Sequence, residues 1–318
     1  TESINLVAQS WGDANLKAGD AILLTEMEHH ANIVPWQMLA EKKGLNIKVI
    51  PVSGSGELIL DDLETLLSDD VKLVSLVYVS NALGTINPVK DLISRVKSHN
   101  NEIRVLVDGT QAVVHKPVDI SGDNDGIDCD FFVFTGHKLY GPTGIGVLYA
   151  KSDILDGMPP FMGGGDMIET VSFEGSTYKA PPARFEAGTP PILEAIGLAA
   201  AIDYVSVYGM NSIQEKEADL LEKATHAIKD VPGLEFVGTA DNKAAVISFI
   251  IKGAHPSDVG MILDQQGIAV RTGHHCCMPL MAKYGLDATA RVSFGVYNDD
   301  SDIDTLTQGL HKAAKMLG

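Results

Sequence analysis

Residues 131–146 read FFVFTGHKLYGPTGIG, a short apolar run that leads into a turn of glycine, proline and small polar residues. The run Asp130–Phe134 is typical of a buried strand, and the glycines and proline after it cannot continue that strand. Lys138 therefore lies where a strand ends and the backbone can approach a ligand closely. A partly buried lysine can lose its proton and become an amine nucleophile that forms a Schiff base. Most turn lysines are simply solvated, so this interpretation depends on the rest of the chain.

Three other apolar runs also end in polar residues. Ala21–Thr25 precedes Glu28, His29 and His30; Val71–Val79 precedes Ser80 and Asn81; Arg104–Val107 precedes Asp108, Gly109, Thr110 and Gln111. Helical patterns lie between the runs, at Asn32–Lys43, Leu60–Leu67 and Val89–His99. Strands that alternate with helices predict a parallel sheet with right-handed crossovers. Since ligands bind beyond the carboxyl ends of such strands, we expect a histidine, an asparagine and an aspartate from these ends to converge with Lys138 on one crevice.

The overall composition excludes several classes of function. The chain has 318 residues, is 45% hydrophobic and carries a net charge of −18, which argues against nucleic acid as a partner. Its mean hydropathy is +0.09, and no apolar run approaches the roughly 18–20 residues that span a bilayer. We therefore expect a globular protein that is not integral to a membrane.

The three cysteines and the first residues bear on the compartment. Two of the cysteines, Cys276 and Cys277, are adjacent, and three cannot form a secretory disulfide framework, so a reducing compartment is expected. No signal peptide is visible. The chain begins at Thr1 inside a helical pattern that Gly12 is expected to close, which predicts that an amino-terminal segment, with any targeting sequence, is missing.

We predict two domains, at residues 1–204 and 205–318. Residues 157–191 are expected to be irregular, because they contain three consecutive glycines and the proline pairs Pro181-Pro182 and Pro190-Pro191. The predicted elements beyond them are helices at Ile192–Gly209, Ile213–Lys229, Ser257–Gln266 (capped by Ser257 or Asp258) and Asp302–Leu317, and strands at Ala244–Ile251 and Arg291–Phe294. This order is typical of a smaller α+β domain.

The segment Arg271–Pro279 reads RTGHHCCMP and is rich in reactive side chains. Histidine and cysteine are zinc ligands, but neighbouring side chains diverge and no second paired motif completes a tetrahedral site, so no metal is predicted. A strained disulfide between the two adjacent cysteines is also possible. The alternative is a nucleophilic thiolate stabilised by Arg271 and the histidines, just before a helix that Pro279 is expected to start. Cys129 is expected to be buried and inert.

Taken in order, six motifs make the chain similar to the SufS-type (group II) cysteine desulfurases of the class-V aminotransferase family, which are fold-type I pyridoxal-phosphate enzymes. The motifs are EHHAN at 28–32, VSNALG at 79–84, VDGTQA at 107–112, TGHK at 135–138, RFEAGTP at 184–190 and RTGHHC at 271–276. The resemblance covers essentially the whole chain. It implies an α/β fold with a mainly parallel sheet flanked by helices, and a smaller C-terminal α+β domain that carries the cysteine loop.

The resemblance also implies how pyridoxal 5'-phosphate is held. Lys138 would carry it through a Schiff base and later act as the base at the substrate Cα. Asp108 would pair with the protonated pyridine nitrogen, which makes the ring an electron sink. His29 would stack on the ring and take part in proton transfer. The remaining contacts implied are Gln111 to the ring oxygen, Thr135, His137 and Thr1 to the phosphate, and Thr189 to the phosphate across a dimer interface.

The implied reaction converts L-cysteine to L-alanine. Arg291 and Asn81 would hold the substrate carboxylate, with Arg271 at the mouth of the site. The Cys276 thiolate would take the substrate sulfur as a persulfide for iron–sulfur cluster assembly. The resemblance further implies a homodimer, a possible selenocysteine lyase side activity, and a location in the cytoplasm, or in an organelle if a transit peptide was lost. Because the loop after Cys276 is short, we predict that a dedicated acceptor protein of the SufE or SufU type collects the sulfur there.

Two features of the chain depart from the family pattern. Cys277 stands where relatives more often have another residue, so it is a spectator or a second sulfur acceptor. The absent amino-terminal segment leaves open whether this chain is active and dimeric.

Three other functions compete with a desulfurase. An aminotransferase would have no use for the Cys276 thiol, and a non-catalytic scaffold would need no lysine in the site. A zinc-binding domain would be recognised by its bound metal.

Overall fold

The computed structural model describes residues 1–123 and 126–317; Gly318, the last residue of the predicted second domain, lies outside this part. A six-stranded sheet has the order β2-β1-β3-β4-β5-β6. Its strands are β1 (Ala21–Thr25), β2 (Asn46–Ile50), β3 (Val71–Val77), β4 (Arg104–Asp108), β5 (Phe131–Thr135) and β6 (Gly146–Ala150). The first five are parallel, as predicted, and β6 pairs antiparallel to β5. Since the strand order reverses at β1, the carboxyl ends open a crevice there.

Helices cover both faces of this sheet. They are α1 (Glu2–Val7), α2 (Asp13–Asn15), α3 (Val34–Lys43), α4 (Leu63–Leu66), α5 (Val89–His99), α6 (Ala112–His115) and α7 (Ser152–Gly157). One face packs on α1 and α3 through Ile22, Leu24, Phe131, Val7 and Trp36. The opposite face packs on α4 and α5 through Leu23, Val107, Leu63, Leu92 and Val96. Because successive strand residues point to opposite faces, one apolar run supplies both cores.

The amino-terminal helix does not end at Gly12, so that prediction is wrong. α1 continues as a π-helical segment, Ala8–Gly12, and then as α2. A Cβ at position 12 would lie 2.7 Å from Leu39 Cδ2 of α3. Gly12 therefore lies where this helix passes close to α3, and not at a helix end.

A second unit has a four-stranded antiparallel sheet in the order β11-β12-β10-β9. The remaining strands are β7 (Ile168–Ser172), β8 (Gly175–Tyr178), β9 (Leu234–Val237), β10 (Val246–Ile251), β11 (Arg271–Gly273) and β12 (Thr289–Ser293). The remaining helices are α8 (Ile192–Tyr208), α9 (Met210–Ile228), α10 (Pro256–Asp264), α11 (Met278–Lys283) and α12 (Asp300–Leu317). The sheet shares a core with α9, α10 and α12. This is the predicted α+β architecture.

Three details of this region differ from the predicted ones. β7 and β8 form a hairpin inside the segment predicted to be irregular; its side chains are mostly exposed, so no apolar alternation marks the strands. α10 is capped by His255, whose ring accepts the Ser257 N–H, rather than by Ser257 or Asp258. The domain boundary after residue 204 stays a prediction; it falls inside α8, and the nearest break in the helices is Gly209, at φ 77°.

The two units are joined by a buried hydrogen bond. His115 of α6 and Glu217 of α9 lie with Nδ1 and Oε2 2.7 Å apart, and both side chains are almost fully buried.

Among the described residues, no single helix is long and apolar enough to cross a membrane. Only α8 and α9 together, which bend by 72° where they meet, reach that length and composition.

Candidate active site

Lys138 lies in a 3-10 turn, Gly136–Lys138, directly after β5. The turn is tight, because a Cβ on Gly136 would lie 2.8 Å from Ile145 Cγ2. The lysine is half-buried, and its pKa is lowered by burial first; Asp108 opposes that effect, and the guanidinium groups of Arg291 and Arg271 add to it. A larger fraction of Lys138 is therefore in the neutral amine form, which is the nucleophilic one, than for a solvated lysine.

Asp108 ends β4, almost fully buried, and its Oδ1 accepts the Thr110 backbone N–H at 3.0 Å. The glycine that follows it is required, since a Cβ on Gly109 would lie 1.9 Å from Phe132 Cζ. Phe132 thus packs under the turn and directs the chain past the carboxylate. A fixed acidic group is left at the carboxyl end of a central strand.

His29 follows β1 and is neutral at physiological pH. Burial first, and then the Lys138 charge, lower its pKa to about 4. Its Nδ1 accepts the Ala31 backbone N–H at 3.0 Å, which places the ring proton on Nε2. The ring is therefore a fixed donor next to the lysine.

One cavity of about 210 Å³ collects most of the residues that the sequence predicted. It is lined by Thr1, His29, Asn81, Asp108, Gln111, Thr135, His137, Lys138 and Arg271. The Thr135 hydroxyl and His137 Nδ1 lie 2.9 Å apart in it. Thr189 does not line it; it is exposed in the turn before α8. The role predicted for Thr189, a contact across a dimer interface, stays a prediction.

The loop between β11 and α11 has a strained backbone. His275 and Cys276 have φ values of 53° and 58°, which side-chain-bearing residues rarely adopt. Such a residue costs about 1–3 kcal/mol and persists only where its surroundings hold it. Here the His30 N–H donates to the Cys276 carbonyl at 2.8 Å, and Asn81 Nδ2 donates to the His275 carbonyl at 2.7 Å. The six-stranded unit therefore fixes the loop's shape.

The two adjacent cysteines lie in different environments. Cys276 is half-buried, with Sγ 3.6 Å from Arg271 Nη2. Cys277 is fully buried beside Leu280, and its thiol donates to Asn81 Oδ1 at 3.2 Å. Burial raises the Cys277 pKa to about 12, so only Cys276 is placed to react. Cys129 is also buried, as predicted, and its pKa is likewise raised to about 12.

Arg291 stands opposite Arg271 across the β11–β12 pair. Burial first, and then Arg271, lower the pKa of Arg291 to about 10. Its Nη1 donates to the Asn81 backbone carbonyl at 2.6 Å, and its buried Nε has no partner among the residues described. The two guanidinium groups create a positive region suited to a substrate carboxylate. Asn81, by contrast, uses both atoms of its side-chain amide on the cysteine loop, so its predicted carboxylate contact would require those bonds to break.

Glu28, for which the sequence predicted no function, is fully buried beneath the site. It accepts the Thr25 hydroxyl at 2.6 Å, the Asn32 amide at 2.7 Å and the Val77 N–H at 2.9 Å. Burial raises its pKa to about 8. Asn32 in turn accepts the indole N–H of Trp36. The spacing of four between Glu28, Asn32 and Trp36 is the signal that could have revealed this network.

The class-V aminotransferase family model matches residues 1–306. Curated cysteine desulfurases from Enterobacter sp. (strain 638) and Escherichia coli (strain SE11) are 52% and 50% identical over the whole chain, which spans 77% of each. The structure of the cysteine desulfurase CsdA from Escherichia coli superposes with a TM-score of 0.94 at 38% identity, over 100% of this chain and 77% of that one. The apo cysteine desulfurase from Thermococcus onnurineus NA1 gives 0.93 at 39%, over 99% and 78%. These similarities confirm the resemblance seen in the sequence: the chain belongs to the cysteine desulfurases of the class-V aminotransferase family.

Proposed function

We propose that this protein is a pyridoxal-phosphate-dependent cysteine desulfurase, a sulfurtransferase that converts L-cysteine to L-alanine and keeps the sulfur on Cys276. The observation that carries the proposal is the convergence of Lys138 and Asp108 in one cavity whose lining includes Arg271, the partner of the Cys276 thiol. An aminotransferase or a scaffold would have no use for that thiol. A zinc domain would have no use for the lysine.

The residues present fit pyridoxal 5'-phosphate. Lys138 offers a half-buried amine for a covalent link, Asp108 a carboxylate for the pyridine nitrogen, and His29 a neutral ring beside both. The remaining residues assigned to the cofactor are Gln111 for the ring oxygen and Thr1, Thr135, His137 and Thr189 for the phosphate. When bound, the cofactor supplies the aldehyde that links to an amine and the electron sink that stabilises a carbanion at Cα.

The chain's own residues then divide the work. Arg291 binds the substrate carboxylate through its planar fork, and the free amine of Lys138 takes the proton from Cα. Asp108 keeps the proton on the ring nitrogen. The Cys276 sulfur forms a bond to the substrate sulfur while the carbon–sulfur bond breaks and its electron pair stays with carbon. The amino acid leaves as alanine after carbon is reprotonated.

The test adds L-cysteine to the purified holoenzyme and measures alanine and the sulfur bound to each cysteine peptide. Lys138→Ala and Cys276→Ser should both abolish alanine release, and Cys129→Ser, a buried thiol away from the site, should not. Undiminished alanine formation by Cys276→Ser would overturn the assignment. The selenocysteine lyase side activity stays a prediction, to be tested with selenocysteine in the same variant.

We infer that the enzyme works as a homodimer and passes its sulfur to a protein of the SufE or SufU type for iron–sulfur cluster assembly. The apolar residues exposed on α8 and the β7–β8 hairpin support a dimer, with Leu193 81%, Val207 84% and Phe173 110% exposed. The short loop fixed by His30 and Asn81 supports an acceptor that comes to the thiol. The cytoplasm is the compartment we propose, in keeping with three free cysteines.

A further inference from the structure

We propose that His30, His274 and Cys276 form a binding site for a thiophilic divalent cation, Zn²⁺ being the example we consider. Each of the three offers one ligand atom, and these atoms all lie within 4.8 Å of one another. Two imidazoles and a thiolate are a zinc ligand set, and three protein ligands leave a position for water. The inference that metal would block the enzyme rests on the proposed function; the binding itself does not.

The fold brings these residues together from distant parts of the chain. His30 follows β1 in the six-stranded unit, while His274 and Cys276 belong to the loop after β11. The two imidazole rings are 5.4 Å apart, centroid to centroid, and tilted by 32°. Sequence spacing alone argued against zinc because neighbouring side chains diverge, and His275 and Cys277 are indeed buried away from the loop surface. His30 supplies the ligand that the local sequence lacks.

One ring nitrogen of each histidine now accepts a backbone hydrogen bond. His30 Nε2 accepts the Met278 N–H at 3.1 Å, and His274 Nδ1 accepts the Cys276 N–H at 3.0 Å. Both contacts are exposed, so water can satisfy the released N–H groups. Bonds of about 2.0–2.3 Å to zinc require the ligand atoms to approach to roughly 3.5 Å. His274 is exposed, so it is free to move inward.

Arg271 competes with the metal. Its guanidinium lies 3.6 Å from Cys276 Sγ, where its positive charge repels a cation. Metal binding and the Arg271 contact therefore exclude each other, and the thiolate bound to a metal cannot attack sulfur. Bound metal would block the enzyme reversibly. It would also link the two units, because His30 belongs to one of them and the cysteine loop to the other.

The experiment equilibrates the full-chain holoenzyme with Zn²⁺ and measures bound zinc per chain and the rate of Cys276 alkylation by iodoacetamide. We expect one zinc per chain and alkylation slowed at least tenfold, both reversed by a chelator. His30→Ala and His274→Ala should weaken binding at least tenfold, and Cys276→Ser should abolish it. His226→Ala, an exposed histidine on α9, should bind as the parent does. Arg271→Gln should bind zinc more tightly.

Two results would overturn the site: no protection of Cys276 in the parent protein, or zinc binding that His30→Ala, His274→Ala and Cys276→Ser all leave unchanged. The protection measurement needs no variant, so it decides even if a substitution prevents folding. Alanine formation in zinc-free buffer is scored separately, so failure of the desulfurase assignment would be seen independently.

Discussion

The side-chain amide of Asn81 donates to the backbone carbonyl of His275 at 2.7 Å, across 194 positions of sequence. The same amide accepts the Cys277 thiol, and the Asn81 backbone carbonyl accepts from Arg291. Asn81, in the turn that follows β3, thus holds the backbone of the cysteine loop, the buried Cys277 thiol and the Arg291 guanidinium. We infer that Asn81 positions Cys276 rather than binding substrate in this arrangement.

Asn81→Ala should therefore act on the loop. Losing two buried hydrogen bonds should lower the free energy of unfolding by about 1–3 kcal/mol. Iodoacetamide should alkylate Cys276 several-fold faster, while KM for L-cysteine changes little. The control is Asn242→Ala, since Asn242 is exposed and its side chain donates to the Ile86 carbonyl at the long distance of 3.5 Å. A large rise in KM with unchanged alkylation would instead support the carboxylate role predicted from the sequence.

Arg291→Lys should weaken substrate binding. Lysine keeps the charge but loses the planar fork that pairs with a carboxylate. Loss of a hydrogen bond to a charged group, worth about 1.5–3 kcal/mol, should lower kcat/KM by roughly 10–100-fold, mainly through KM. Steady-state alanine formation measures both constants. A fall in kcat at constant KM would contradict a binding role.

Cys277 should not carry sulfur. Its thiol is buried and its pKa is raised to about 12, so it has almost no thiolate at neutral pH. Peptide mass spectrometry after a single turnover should find the persulfide on Cys276 alone. Cys277→Ser, which keeps a donor for Asn81, should retain activity within about a factor of two. Persulfide on the Cys277 peptide would contradict this assignment.

Glu28→Gln should flatten the dependence of stability on pH. The Glu28 pKa is raised from 4.5 to about 8 in the folded protein. Between these two pH values the folded protein therefore keeps a proton that the unfolded chain has already lost. The stabilisation is complete at low pH and is lost as the pH rises through about 8. Glutamine cannot titrate, so the variant lacks this slope, although losing the Asn32 contact lowers its absolute stability by about 1–3 kcal/mol. Parallel Tm curves for the two proteins between about pH 5 and 8 would refute it.

Much of the fold could be predicted because buried strands and amphipathic helices leave periodic patterns. The four strands whose ends build the site were predicted within two residues. The β7–β8 hairpin could not be predicted because its side chains are exposed, and Gly12 was wrongly predicted to end the helix because its close approach to α3 is not visible in the local sequence.

The position of the site was predictable where a residue directly follows a predicted strand. Lys138, Asp108 and His29 are of this kind, and the cavity collects all three. His30 could not be assigned from local sequence, because its contacts with Cys276 and Met278 connect positions nearly 250 residues apart. The hydrogen bonds of the Asn81 side-chain amide also go to this distant loop, so they could not be predicted from the sequence.

The buried pair of His115 and Glu217 has a consequence for how the molecule melts. Separating the six-stranded unit from the four-stranded one would break the hydrogen bond between these groups, and leaving one buried partner unsatisfied costs about 1–3 kcal/mol. Neither half can loosen far while the other stays intact. A calorimetric scan should accordingly show a single cooperative peak, and Glu217→Ala should split it into two.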